Sequence, residues 1–219
     1  MAIKGYWRFN GNSNDASGSG LNGSDTNVSY SQAAGKLNQG ASFNGSSSRI
    51  LISGTIGDTK NAAKSFGCWL KIGANLSGPD TYPMVFFIQY GTTNAINYAI
   101  QYMRIGGVNM LSVGRSRANI ANEYIPYNNP TAAFGWYHVV GTFDGSGTLK
   151  MYVNGKFHNS RTVSLADGTG THVQGISFGD LNSVTHYYFN GSIDEAKIWT
   201  GELSPAQIKN EYSRGKGLF

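Results

Sequence analysis

The chain is 219 residues long, with 30 glycines and 13% aromatic residues, which suits one all-β unit over residues 1–219, since sandwiches reach ~200–250 residues undivided. Only 13% of residues are charged, and the net charge of +5 comes without a dense Lys/Arg run or a basic amphipathic helix, so no nucleic-acid partner is expected. A single cysteine excludes a disulfide framework, no apolar run of ~18 residues offers membrane insertion, and no signal peptide is read in this chain.

A first strand is expected over residues 3–10, followed by a polar loop over 11–27 made almost wholly of Gly, Ser, Asn and Asp. A loop of that length in a compact unit is functional or tied down. Strands follow at 41–44 and 49–53, then a polar connection at 57–64. The strand predicted at 65–72 sets Phe66, Cys68, Leu70 and Ile72 on one face with Trp69 opposite, so both faces are covered and Cys68 is a small buried hydrophobe. Past the Ser77-Gly78-Pro79-Asp80 turn, strands at 84–90, 98–105 and 108–115 form a meander with Gly106-Gly107 as a tight turn. Residues 117–133 are interrupted by Asn119, Asn122, Pro126, Asn128, Asn129 and Pro130, and are expected to be one short strand and a loop carrying Tyr124 and Tyr127.

The clearest signal is the stretch 136–156, WYHVVGTFDGSGTLKMYVNGK. Its first arm, to Phe143, is β-branched and aromatic. Its second alternates Leu149, Met151 and Val153 with Lys150, Tyr152 and Asn154, the period of a half-buried strand. Asp144-Gly145-Ser146-Gly147 turns the chain between them, and Asn154-Gly155 is a strong second reversal, so three consecutive antiparallel strands are predicted. Strands at 162–165, 176–179 and 187–199 bring the total to ~12–14, which suits two packed sheets. One helix is expected at 204–212, with Ser204 as cap, Pro205 at its first position, Gln207 as the reciprocal arm of a capping box, and Ile208 and Tyr212 on its docking face.

The run from Trp136 through Phe143-Asp144-Gly145 to Tyr152-Val153-Asn154-Gly155 resembles the signature hairpin of laminin-G-like, concanavalin A-like jelly-roll domains. Tyr6-Trp7-Arg8-Phe9 with Asp15-Ala16-Ser17-Gly18, then Ala41-Ser42-Phe43-Asn44-Gly45, and finally Gly191-Ser192-Ile193-Asp194-Glu195-Ala196-Lys197-Ile198-Trp199 follow the order of that family. The fold expected is therefore an all-β, two-sheet antiparallel β-sandwich of the concanavalin A-like jelly-roll type, with one short C-terminal helix and both termini held near Asp194.

No seat for catalysis is visible. Asp194 and Glu195 are adjacent in a predicted strand and point to opposite faces, so they do not form the carboxylate pair of a glycosidase. His138, His158, His172 and His186 lack metal spacing, and Ser146 lies between two strands rather than on a nucleophile elbow. The oxygen-rich loop over 10–17 suits calcium, which takes 6–8 oxygen ligands. The resemblance implies one structural calcium shared by Asp15 and Asp194, with Asn10, Asn12 and Asn44 or nearby carbonyls completing the shell; turn-making by the same residues is the competing reading. The resemblance also implies sugar recognition. Exposed tyrosine faces and amides meet its needs, and Tyr82, Tyr124, Tyr127 and Tyr187 are the candidates, with Arg115 and Arg117 for an acidic sugar. The function expected is a non-catalytic carbohydrate-binding or adhesion module for a glycan or polysaccharide, outside cells or on a virion surface. The alternative is a decoration protein whose tyrosines meet capsid or cell-surface proteins.

Overall fold

The computed structural model describes residues 1–91, 96–117, 120–131, 135–165, 173–181 and 187–216. His172, His186 and Asn119 lie outside them, as does the side chain of Arg117. The strands in chain order are β1 (Ile3–Trp7), β2 (Gly23–Thr26), β3 (Ser29–Ser31), β4 (Gly40–Asn44), β5 (Arg49–Ile52), β6 (Lys64–Ile72), β7 (Met84–Tyr90), β8 (Ile96–Ile105), β9 (Val108–Arg117), β10 (Ile120–Asn128), β11 (Trp136–Phe143), β12 (Thr148–Val153), β13 (Lys156–Thr162), β14 (Val173–Phe178) and β15 (Asn190–Thr200), before the helix α1 (Pro205–Lys216). They form two sheets. The first runs β13-β12-β11-β6-β15-β4-β3, with β1 also on β15, and the second runs β10-β9-β8-β7-β14-β5-β2.

The hairpin stretch supplies β11 and β12 of the first sheet and leads into β13. β11 pairs with both β12 and β6, and Asn154 (φ 51°) and Gly155 (φ 75°) take the left-handed angles that a two-residue hairpin turn demands. Alternation then sorts the side chains. Phe66, Cys68, Leu70, Val139, Phe143, Leu149 and Met151 enter the core, where they meet Phe86, Ile88, Tyr98, Ile100, Leu111 and Val113 of the second sheet. Trp7 joins this core edge-on to Phe86 and Phe178. Burial on this scale, at ~25 cal/mol per Å² of apolar surface, is the main force holding the sheets together.

The opposite face of the first sheet is covered as well. Val140, Tyr152 and Trp199 pack under Leu203 and Ile208 at the start of α1, and Trp69 stacks on Tyr212 at 5.5 Å. The helix begins with the expected capping box: Gln207 N–H donates to Ser204 Oγ, and Ser204 N–H donates to Gln207 Oε1. It runs past Tyr212 to Lys216.

Four expectations are corrected. The polar loop over 11–27 contains β2, because Gly23–Thr26 find partners on β5. β3, unforeseen, pairs with β4. The segment around Tyr124 and Tyr127 is one continuous strand, β10, since a proline is tolerated on the sheet edge that this strand occupies. Residues 163–165 are not a strand, β13 ending at Thr162.

At one end of the sandwich Lys64 is wholly buried, its ammonium donating to the carbonyls of Thr59, Lys60 and Ala62 at 2.7–3.1 Å. Asp58 lies 3.4 Å away, and the rings of Tyr90 and Tyr98 stand 4.8 Å off. Burial pulls the Lys64 pKa down to about 8 against the opposing pull of Asp58. The 57–64 connection is thus wrapped around a charge belonging to the chain itself.

Candidate functional site: a cleft on the second sheet

Strand alternation also decides what the second sheet turns outward. On β8, Tyr98, Ile100 and Tyr102 enter the core, which sends Ala99 to the other side. On β7, Phe86 and Ile88 point in and Phe87 points out, and a slip in register between Met84 and Phe86 turns Met84 outward as well. Met84, Phe87 and Ala99 form a small buried apolar floor against which Leu181 and Tyr187 pack. Above it is a cleft of about 350 Å³, with Asn97 and Gln101 contributing amides and Tyr82, Tyr124 and Tyr187 contributing rings.

Each tyrosine is held in place by the main chain. Tyr82 follows Thr81, whose amide and carbonyl pair with Arg104 at 3.0 and 2.9 Å. Tyr187 donates its N–H to the buried Asp180 carboxylate at 2.7 Å, and its carbonyl accepts from Met84 N–H at 2.9 Å. The two rings meet edge to face with centroids 6.0 Å apart. Tyr124 sits on β10 opposite Gly114 of β9, where a Cβ would come within 3.2 Å of the Tyr124 Cβ, so the missing side chain keeps the cleft open beside the ring.

The structure therefore gathers Tyr82, Tyr124, Tyr187 and Arg115 in one place. Arg115 lines the cleft from below and is only 2% exposed. Its guanidinium bonds the Ser164 carbonyl and Asn61 Oδ1, lies 4.0 Å from Glu123, and faces the Tyr98 and Phe143 rings. Its work is to join the sheets rather than to reach for an acidic sugar. Tyr127 is elsewhere, beside His158 and Phe157 where the sheet edges β10 and β13 meet. The floor residues and the two amides were not among the residues singled out from sequence, although the alternation on β8 places Asn97, Ala99 and Gln101 on one face; Met84 joins Phe87 only through the slip in register on β7. Glu123 is the one carboxylate among the described residues lining the cleft, and it is occupied by the Ser164 N–H and Arg115.

The residues expected to hold calcium are all turned onto hydrogen-bond donors. Asp15 accepts from the N–H groups of Tyr6, Ser17 and Leu21 and from the Ser17 hydroxyl. Burial alone would raise its pKa; these donors outweigh burial and hold it below the usual carboxylate range. Asp194 is fully buried, takes N–H groups from Lys36, Leu37 and Glu195, and has a pKa raised by burial to about 7. Asn10 accepts from Gln39 N–H, Asn12 from Asn14 N–H, and Asn44 from Ser46, Ser47 and Ser48 N–H groups. Among the described residues no group of three or more His, Cys, Asp or Glu side chains is placed to hold a metal. Each of the five is thus engaged by donors of the chain itself.

Two packed antiparallel sheets with a single C-terminal helix define a β-sandwich of the concanavalin A-like kind. The chain belongs to the concanavalin A-like lectin/glucanases superfamily, whose laminin-G-type model matches residues 44–209. No curated protein matches it in sequence. Among solved structures it is similar to domain 4 of AbnA, an extracellular arabinanase from Geobacillus stearothermophilus, in complex with arabinotriose, at 23% identity and a TM-score of 0.68 over 95% of this chain and 97% of that one. It also resembles the botulinum neurotoxin serotype D binding domain, with 18% identity and a TM-score of 0.69 over 97% of this chain and 52% of that one. The serotype G binding domain gives 15% identity and a TM-score of 0.73 over 98% and 51%. The chain thus spans nearly all of the arabinanase domain and about half of the toxin binding domains.

Proposed function

We propose that this chain is a non-catalytic carbohydrate-binding module whose glycan lies in the cleft of the second sheet. The observation that carries this reading is the convergence of Tyr82, Tyr124 and Tyr187 over an apolar floor with Asn97 and Gln101 beside them. Ring faces match the C–H faces of a pyranose or furanose, and amides match its hydroxyls. The solved complexes support it: the arabinanase domain holds arabinotriose, and the binding domain of a related neurotoxin is in complex with SialylT. That similar solved structures are toxin binding domains supports binding over glycoside cleavage. Such ligands are met outside cells or on a virion surface, and that location belongs to the same proposal.

A glycan array tests it. Binding that is specific, and lost in Tyr124→Ala, supports the module. A blank array together with a stable oligomer in solution favours instead a decoration or adhesion role through protein contacts. One feature supports that second reading: Phe157 is 55% exposed on β13, beside Tyr127 and Lys156.

A further inference from the structure

β10 and β13, the edge strands of their sheets, come together along one side of the sandwich. Side chains of β13 close the seam: His158 Nε2 donates to the Pro126 carbonyl at 2.8 Å, and Arg161 donates to the Tyr124 carbonyl at 3.2 Å. Beside it, between the Asn154-Gly155 turn and Tyr212 of α1, lies a groove of about 430 Å³. Its walls are rings. Phe157 is 55% exposed, although it meets Tyr152 edge to face at 5.6 Å. Tyr127 stands against His158 at 5.2 Å, and Tyr212 is stacked on Trp69 at 5.5 Å. Each ring is held by a neighbour and keeps part of its surface in the groove. Several rings left half-open side by side mark a binding surface.

The polar groups among the rings decide what binds. Asn154 turns its Oδ1 onto the His138 N–H at 2.9 Å, and its Nδ2, the donor end, has no partner among the described residues. Lys156 is exposed and has no ion pair among the described residues. No Asp or Glu lines the groove. The other charge on β13 is Arg161, again a cation, and Glu211, next to Tyr212, is turned onto Lys197 at 2.7 Å and Arg214 at 3.2 Å. Lys156 and Asn154 thus present open donors and a positive charge that nothing in the groove balances, which suits a ligand with acidic oxygens. Ring faces beside that charge suit the C–H face of the sugar that carries them.

We propose that this groove binds an acidic saccharide, with a carboxylate or sulfate on Lys156 and Asn154 and a sugar ring on Phe157. The site is separate from the cleft of the second sheet, where Arg115 and Glu123 balance each other at 4.0 Å, and does not rest on the reading of that cleft. The test follows the Asn154 side-chain NH₂ and the Lys156 backbone N–H by ¹H–¹⁵N NMR of the full chain at pH 7. The probes are trigalacturonate, a chondroitin sulfate tetrasaccharide and, as neutral control, maltotriose. The expected result is a saturable shift of both signals with at least one acidic probe and none with maltotriose. Affinity should fall about 3- to 10-fold in Phe157→Ala and in Lys156→Gln, and hold in Lys4→Gln, the same charge change on β1. Signals that no probe moves in folded protein overturn the proposal, as does equal binding of maltotriose. A loss in Lys156→Gln without one in Phe157→Ala reduces the effect to attraction between a basic edge and any polyanion, and also overturns it. A stable dimer that buries Phe157 does the same, since it gives this face to a second copy of the chain.

Discussion

Tyr82 and Tyr187 meet edge to face at the mouth of the cleft, with ring centroids 6.0 Å apart and planes at 83°. They stand as one wall, each ring limiting the motion of the other. Tyr82→Ala and Tyr187→Ala should each weaken glycan affinity about 3- to 10-fold, the scale of an aromatic contact worth ~0.5–1.5 kcal/mol. The double variant should lose little more than the worse single one, because removing either ring already loosens its neighbour. Calorimetric titration with the best ligand from an array reads this; additive losses would show that the two rings act separately.

His138 should contribute a destabilising limb in acid. Burial, reinforced by the Lys197 charge, lowers its pKa from 6.5 to about 3, so between those values the unfolded chain binds a proton that the folded chain refuses. The His138 contribution then rises with pH across this window and is lost as pH falls from about 6.5 towards 3, by an amount on the order of 3–5 kcal/mol, while Asp194, its pKa raised by burial to about 7, contributes in the opposite direction as pH falls from 7. His138→Gln, neutral throughout, should flatten that limb in urea titrations at pH 7, 5 and 4. An unchanged slope would place the acid sensitivity elsewhere.

Calcium shared by Asp15 and Asp194 predicts that chelation lowers the melting temperature, and that Asp15→Ala removes the sensitivity. Carboxylates held by main-chain donors predict something else. Asp15→Ala would then strand the Tyr6, Ser17 and Leu21 N–H groups and cost about 2–3 kcal/mol, equally with and without chelator. The donors surrounding both side chains favour the second outcome. Calorimetric melts of the wild type and the variant, with and without EDTA, separate the two.

Ser204→Ala should cost about 1 kcal/mol and lower the melting temperature by about 2–4 °C, since Gln207 N–H loses its acceptor while the rest of α1 is untouched. Because Ile208 and Tyr212 hold the helix on the first sheet, the loss should show as a lower midpoint rather than a separate helix transition.

What the sequence discloses here is what neighbours along the chain decide. The alternation around Trp69 and Met151, the turn at Asn154-Gly155 and the cap at Ser204 are local, and each appears where the residues put it. β2 was hidden because Gly23-Ser24-Asp25-Thr26 has no strand preference of its own and is extended by its pairing to β5. β10 was hidden because Pro126 argues against a central strand, and only the sheet order reveals that this strand is an edge. The site follows the same division. Tyr82, Tyr124 and Tyr187 were visible as polar-tipped rings, but their meeting over Met84, Phe87 and Ala99 depends on which face of the sheet is left bare, a property of the whole topology. Arg115 looked available because its burial comes from Ser164 and Asn61, both far from it in the chain.

The ammonium of Lys64 has one more consequence. A metal ion doing its work at the carbonyls of Thr59, Lys60 and Ala62 would be on loan from the surroundings, lost on dilution and open to displacement by rival ions. A charge riding on a four-carbon stem has no dissociation constant, since folding alone brings it to those oxygens. The order of these carbonyls therefore follows pH rather than a supply of metal, since Lys64 gives up its proton as pH rises past about 8.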